Sequence, residues 1–201
     1  MSQNEGEEQE GIKIILVGET GTGKTSLINT AVGKKFNESE KSSVHCSYVK
    51  LKKEIDDMEY TIDLWDTIGQ ERFRSLTKVF FKNSEIVIFV FDITNKESFD
   101  DLEYWFKTIE EELGNEIIKG LAANKQDLFE NQEVDDDTIK QYAFKKGIKY
   151  EFTTAKNPDN FNKPSEQLLI EYLKTGISKE RKKIVGKKLK NKKGGKKKKC
   201  C

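Results

Sequence analysis

No stretch of this sequence comes near the roughly 20 consecutive apolar residues that a membrane-crossing helix needs, so no span is expected. The segment from Ser2 to Glu10 is acidic and polar without an apolar block, so no secretory leader is expected either. Cysteine is too sparse for a disulfide framework: Cys46 stands alone, and Cys200 and Cys201 are adjacent. The expectation is a soluble chain facing a reducing cytosol. Histidine occurs once, at His45, where a local structural role is expected rather than catalysis. Cys46 likewise reads as a small apolar contact rather than a nucleophile. No internal repeat is present.

What is present is charge, unevenly placed. The net charge of +1 conceals 13 Lys/Arg and a single acid between Lys179 and Cys201, against 23 basic and 34 acidic residues elsewhere. An acidic globule with a basic tail follows. A domain of ordinary size is expected over residues 12–178, after an acidic, disordered lead at 1–11. The Lys/Gly/Asn-rich segment 179–201 cannot bury a core.

Between those ends, apolar blocks alternate with amphipathic ones. Ile12 to Val17 reads as a buried strand, followed by a helix from Gly23 to about Gly33. Tyr48 to Ile55 and Tyr60 to Trp65 alternate polar and apolar across Asp56-Asp57, which predicts a hairpin. Ile86 to Phe91 and Ile117 to Ala123 read as buried strands, the second weakened by Lys119 and Gly120. Phe99, Leu102, Phe106, Ile109 and Leu113 mark a helix over 98–113. Another helix is expected over 135–146, a strand near 150–153, and a last helix from Pro164 to Thr175 with proline at its start. Alternating strands and helices predict an α/β fold with a mostly parallel sheet. Its ligands should bind at the carboxyl ends of the strands.

Three motifs carry chemistry. Gly18-Glu19-Thr20-Gly21-Thr22-Gly23-Lys24-Thr25 matches GxxxxGK[ST] between a strand and a helix, the context a phosphate loop requires. Its glycines let backbone N–H groups turn towards phosphate oxygens, and the helix adds its positive end. Residues Glu19, Thr20, Gly21, Thr22, Gly23, Lys24, Thr25 and Ser26 are expected to contact phosphate. Lys24 should reach the β and γ phosphates, and the Thr25 hydroxyl should bind Mg²⁺. Asn124-Lys125-Gln126-Asp127 is NKxD at the end of a strand. An Asp127 carboxylate can accept from both the ring N–H and the exocyclic amine of guanine, which adenine does not offer together. Asn124 should tie this loop to the phosphate loop, and the Lys125 stem should cover the base. Alone, this segment is equally a polar turn after a strand. Asp66-Thr67-Ile68-Gly69-Gln70-Glu71 contains DxxG. Asp66 should hold Mg²⁺ through a water, the Gly69 N–H should bond the γ-phosphate, and Gln70 should orient the attacking water.

Together with Arg72-Phe73-Arg74-Ser75-Leu76-Thr77, and with Phe91-Asp92-Ile93-Thr94 followed by Ser98-Phe99, these motifs resemble the Rab branch of the Ras-superfamily small GTPases. The resemblance covers residues 12 to about 177. It implies a P-loop NTPase fold with a six-stranded mostly parallel sheet, one antiparallel strand and about five helices. Two switch loops should order around GTP and Mg²⁺ and loosen on hydrolysis to GDP. It also implies that Phe36 stacks edgewise on guanine and that Thr154-Ala155-Lys156 closes over the base. Without the resemblance, Phe36 is equally a core residue at a helix end. An exchange factor, a GAP, a GDP-dissociation inhibitor, a prenylation escort and effectors at the switches complete the implied partners.

The sequence departs from that pattern in switch I and beside Gly69. Ser43 stands at the threonine position that contacts Mg²⁺ and the γ-phosphate, and keeps the hydroxyl without the methyl. His45 replaces a glycine, Glu40 a tyrosine over the phosphates, and Ile68 an alanine. These changes lead us to expect bound GTP, a loosely ordered switch I and slow intrinsic hydrolysis.

Lys196 to Lys199 precede Cys200-Cys201, which resembles the double-cysteine ending of Rab proteins rather than CaaX. Two prenyl groups there would anchor stably, and the lysines favour an anionic leaflet. The expected location is the cytoplasmic face of intracellular membranes, in exchange with cytosol. A nucleic-acid-binding tail is the other reading of a lysine run; no DNA partner is expected. The functional reading is a GTP-hydrolysing switch in vesicle traffic. Its rivals are a membrane-tethered adaptor that binds GTP with little hydrolysis, and an ATP-using P-loop enzyme, which Asp127 disfavours.

Overall fold

The computed structural model describes residues 11–37, 47–67, 79–157, 159–175 and 187–188. Glu40, Ser43, His45, Cys46, Ile68, Gly69, Gln70, the segment 72–77, Cys200 and Cys201 lie outside them.

The elements in chain order are β1 (Ile12–Val17), α1 (Lys24–Ala31), β2 (Ser47–Ile55), β3 (Met58–Asp66), β4 (Ile86–Asp92), α2 (Lys96–Asp100), α3 (Leu102–Leu113), β5 (Ile118–Asn124), a 3-10 turn (Gln126–Asn131), α4 (Asp136–Lys146), β6 (Lys149–Phe152), α5 (Asp159–Lys174) and β7 (Lys187–Lys188). The sheet order is β2-β3-β1-β4-β5-β6. Only β2 runs antiparallel within that path, paired to β3. The six-stranded mixed sheet expected from the sequence is therefore present.

Strand period divides the core into two. Ile14 and Leu16 of β1 face a cluster holding Leu27 and Ile28 of α1 and Phe161, Leu168 and Leu169 of α5. Ile15 and Val17 face the other side, with Trp105, Phe106 and Ile109 of α3 and Ile139 of α4. The chain leaves β1 for a helix on one face and β4 for helices on the other. Because β1 and β4 are neighbours, the crevice beyond their carboxyl ends is the switch point where such sheets take ligands.

Local chemistry accounts for the details. Asp56 and Asp57 both adopt positive φ (50° and 61°), the twist a two-residue hairpin turn needs and one aspartate tolerates. Asp135 caps α4 by accepting from the Thr138 N–H at 2.9 Å, and Gly147 ends it in the left-handed region. Gly120, which weakened the β5 pattern, leaves room for α5: a Cβ there would lie 2.5 Å from Leu168 Cδ1. Lys119 covers most of its stem and brings its ammonium out to pair with Glu110 at 3.5 Å.

Two expectations are corrected. The helix expected over 98–113 begins at Lys96, where Asn95 caps the first turn through the Ser98 N–H at 3.0 Å, and it is interrupted at Asp101. The last helix begins at Asp159 rather than Pro164. Buried Phe161 anchors the extra turn, and Pro164 inside the helix forgoes one backbone hydrogen bond. The basic segment also contributes β7, whose backbone pairs antiparallel with Met58 and Glu59 of β3.

Candidate nucleotide-binding site

The phosphate loop starts where β1 ends. Gly18 has φ +148°, and a Cβ on it would lie 2.0 Å from the Val90 carbonyl oxygen, so only glycine fits between β1 and β4. Gly23 has φ +92°, and a Cβ there would meet Asn124 Nδ2 at 2.4 Å. Between them, the Thr22 hydroxyl donates to Glu19 O at 2.9 Å and closes the loop. α1 opens at Lys24, directly after the loop, so the positive end of the helix lies at the loop.

Lys24 is buried, and its ammonium donates to Gly18 O at 2.9 Å and to Glu19 O at 2.7 Å. Burial pulls its pKa down to about 8; the charges of Asp66 and Glu19 offset part of that. The unfolded chain keeps the ordinary value near 10.5, so between pH 8 and 10.5 it binds more protons than the folded protein. Burial of the charge costs the nucleotide-free fold in full below pH 8, and that cost is relieved as pH rises through this window. We expect the urea-unfolding free energy of nucleotide-free protein to rise relative to Lys24→Met between pH 8 and 10, by on the order of 1–3 kcal/mol. Parallel profiles for the two proteins would refute it.

The Thr25 hydroxyl donates to Asp66 Oδ2 at 2.7 Å. Asp66 ends β3 and is 2% exposed. One hydroxyl and one carboxylate converging beside the phosphate loop are hard oxygen donors suited to Mg²⁺, which takes few protein ligands and completes its shell with phosphate and water. Thr67 donates to Leu16 O, tying the end of β3 to β1.

The base-reading segment lies across the crevice. Asn124, last in β5 and 1% exposed, donates from Nδ2 to Thr22 O at 2.7 Å and accepts from the Thr153 hydroxyl at 3.1 Å. The NKxD loop and the phosphate loop are thus joined by one side chain. Lys125 adopts φ +64°, and its ammonium pairs with Asp92 at 2.5 Å. Asp127 accepts from the Thr154 hydroxyl at 2.6 Å and pairs with Lys156 at 2.8 Å. Desolvation pushes the Asp127 carboxyl upward, but those two partners outweigh it and hold it below the usual carboxylate range. Lys156 also stands 5.7 Å over the Phe36 ring, which is 38% exposed. Ala155 is buried, with its carbonyl held by the Thr30 hydroxyl of α1 at 2.8 Å.

The described expected residues therefore gather on one rim, with a carboxylate acceptor at one end and, at the other, a buried lysine held by the loop carbonyls at the start of α1. That arrangement can hold a guanine base and its phosphates together. Thr20 and Gly21 are exposed in the loop, and Ser26 accepts on its carbonyl from Thr30 in α1 at 2.7 Å. Three contributors escaped the motif reading: Thr153 orients Asn124, Trp105 donates from its indole to Glu19 Oε1 at 3.1 Å, and Asp92 holds Lys125. Asp92 alone had a signal, as part of a quoted segment without a task. Among the described residues no helix is long and apolar enough to cross a membrane.

A Ras family model matches residues 13–174. Ras-related protein Rab-21 of Homo sapiens is 35% identical over 165 residues, covering 82% of this chain and 72% of that protein. Ras-related protein Rab5A of Oryza sativa subsp. japonica is 32% identical over 162 residues, covering 81% and 80%. Ras-related protein Rab-30 of Homo sapiens is 34% identical over 151 residues, covering 75% and 74%.

Proposed function

The chain belongs to the Ras family of GTPases, on its Rab branch, and we propose that it is a GTP-hydrolysing switch of intracellular vesicle traffic whose nucleotide site is the rim just described. The observation that carries the base specificity is Asp127, kept ionised by Lys156 and Thr154 and joined through Asn124 to the phosphate loop. In this reading residues 12–178 form the switch domain. Lys24 and the loop N–H groups bind phosphate, and Asp127 accepts from guanine beneath Lys125, Phe36, Thr154, Ala155 and Lys156. Thr25, Asp66 and Ser43 hold Mg²⁺, which supplies charge neutralisation at the phosphates. Gly69 contacts the γ-phosphate and Gln70 orients water. Ser43, Glu40 and Ile68 make intrinsic hydrolysis slow and dependent on a GAP. An exchange factor, a dissociation inhibitor, a prenylation escort and effectors are its partners.

Single-turnover assays of purified protein in Mg²⁺ test this directly. We expect slow hydrolysis of GTP, none of ATP, and a loss with Gln70→Leu of about 10-fold or more. Equal use of ATP would end the guanine reading, and an ordinary Rab-like rate would end the proposed effect of the altered switch I.

Cys200 and Cys201 are the proposed prenyl sites, with the neighbouring lysines drawn to an anionic leaflet. Changing both to serine should move the protein from the membrane fraction to the cytosol; unchanged membrane association would exclude the lipid anchor.

A further inference from the structure

Asp92 closes β4 directly opposite Asn124 in the β4–β5 register, and the Ile93 N–H donates to Asn124 O at 3.1 Å. The aspartate is 6% exposed. Its Oδ1 accepts from the Thr94 N–H at 2.9 Å and the Thr94 hydroxyl at 2.7 Å. Its own N–H donates to Ser98 Oγ at 3.0 Å, and its carbonyl accepts from the Asn95 N–H at 3.0 Å. Asn95 in turn caps α2. Thr94 thus sets one carboxylate oxygen while Ser98 and Asn95 hold the backbone that carries it, and the oxygen left over meets the Lys125 ammonium.

Lys125 needs such a partner for two reasons. Its φ of +64° is a conformation lysine rarely adopts, and it persists only when the surroundings impose it. Its long stem would otherwise sample many rotamers, one of which must be selected each time a base arrives. Fixing the ammonium fixes both the stem and the entry to the turn that carries Asp127.

We propose that Asp92 is a positioning residue for base recognition: its carboxylate, set by Thr94, pins Lys125 so that the lysine stem stands ready as one wall of the guanine pocket. The proposal rests on the guanine-site reading above. It gives the Phe91-Asp92-Ile93-Thr94…Ser98 segment a task at the nucleotide, although none of it lies in the three nucleotide motifs.

The test is release of fluorescent GDP from the full-length protein, chased with excess unlabelled GDP. Loss of a buried charged partner acts mainly on dissociation. Asp92→Asn should speed release about tenfold, and Asp92→Glu should return it to within about threefold of the parent. In a Lys125→Met background, Asp92→Asn should add nothing, because the residue through which it acts is gone. Lys96→Met, which breaks an exposed pair with Asp100, should leave release unchanged. If Asp92→Asn does not fold, Thr94→Val, which removes one donor to the carboxylate, should give a smaller acceleration of about threefold. Full acceleration by Asp92→Asn in the Lys125→Met background would overturn the proposal, since it would show a general loss of structure. Unaltered release in both Asp92→Asn and Thr94→Val would also overturn it. Failure of the parent protein to retain GDP would instead strike the guanine-site reading itself.

Discussion

Asp127→Asn should exchange guanine for xanthine as the base this protein holds. Its carboxylate is an acceptor only, and guanine presents two adjacent donors, the ring N–H and the 2-amino group. Lys156 at 2.8 Å and the Thr154 hydroxyl at 2.6 Å keep that carboxyl below the usual carboxylate range, so it is charged throughout neutral pH. Asparagine keeps one acceptor and turns one position into a donor. Facing guanine, that donor meets the 2-amino group, and two donors are left unsatisfied in a site emptied of water. Facing xanthine, it meets a carbonyl and the pair is restored. Sites built on such pairs discriminate by 10⁴-fold or more, so GDP affinity should fall by on the order of 10³-fold or more while xanthosine diphosphate gains. The fold should survive, because Asp127 lies in the exposed turn after β5 and anchors no core residue. Titration of both nucleotides into the variant decides the matter; GDP affinity within threefold of the parent would remove Asp127 from base recognition.

Much of the route to that site is legible without coordinates. Apolar runs at Ile12–Val17, Ile86–Phe91 and Ile117–Ala123 have no polar alternation because helices cover both faces of the sheet, and those three strands are where the pattern placed them, within a residue or two. The Asp56-Asp57 turn was equally clear, because two residues tolerant of positive φ stood between alternating runs. The start of α5 was not. Proline is favoured at a first helical position, and local chemistry cannot announce that burial of Phe161 makes an earlier start worthwhile. The site divides in the same way. Asn124 and Lys24 belong to contiguous motifs, whereas Trp105 reaches Glu19 across 86 residues of chain and reads locally as one more apolar face residue of α3. Tertiary pairs of that kind leave no spacing to detect. The changes in switch I and beside Gly69 are legible as sequence alone: Glu40, Ser43 and Ile68 lie outside the described residues, so their effect is a matter for kinetics.

Gly18→Ala should damage the fold itself, while Gly21→Ala, three residues on in the same loop, should not. The two glycines share a motif and differ in surroundings. An added methyl at Gly21 meets nothing within 4 Å, so its cost is the left-handed backbone at φ +77° alone, about 1–2 kcal/mol. At Gly18 the methyl would lie 2.0 Å from the Val90 carbonyl oxygen, far inside van der Waals contact. Neither atom can step aside. Val90 is fully buried in β4, and β4 is hydrogen-bonded in register to β1 on one side and β5 on the other. Relief therefore requires β1 and β4 to part where the phosphate loop leaves the sheet, which exposes Val17 and Phe89 beneath. Overpacking of a central strand pair, added to strain at φ +148°, should cost roughly 3–5 kcal/mol, much of the stability of a domain this size. Thermal unfolding of nucleotide-free protein separates the two cases. A midpoint for Gly18→Ala within about 2 °C of the parent would mean that β1 and β4 are not locked together at the loop. A collapse confined to Gly18→Ala would show that the first glycine of the motif serves the sheet before it serves the phosphate.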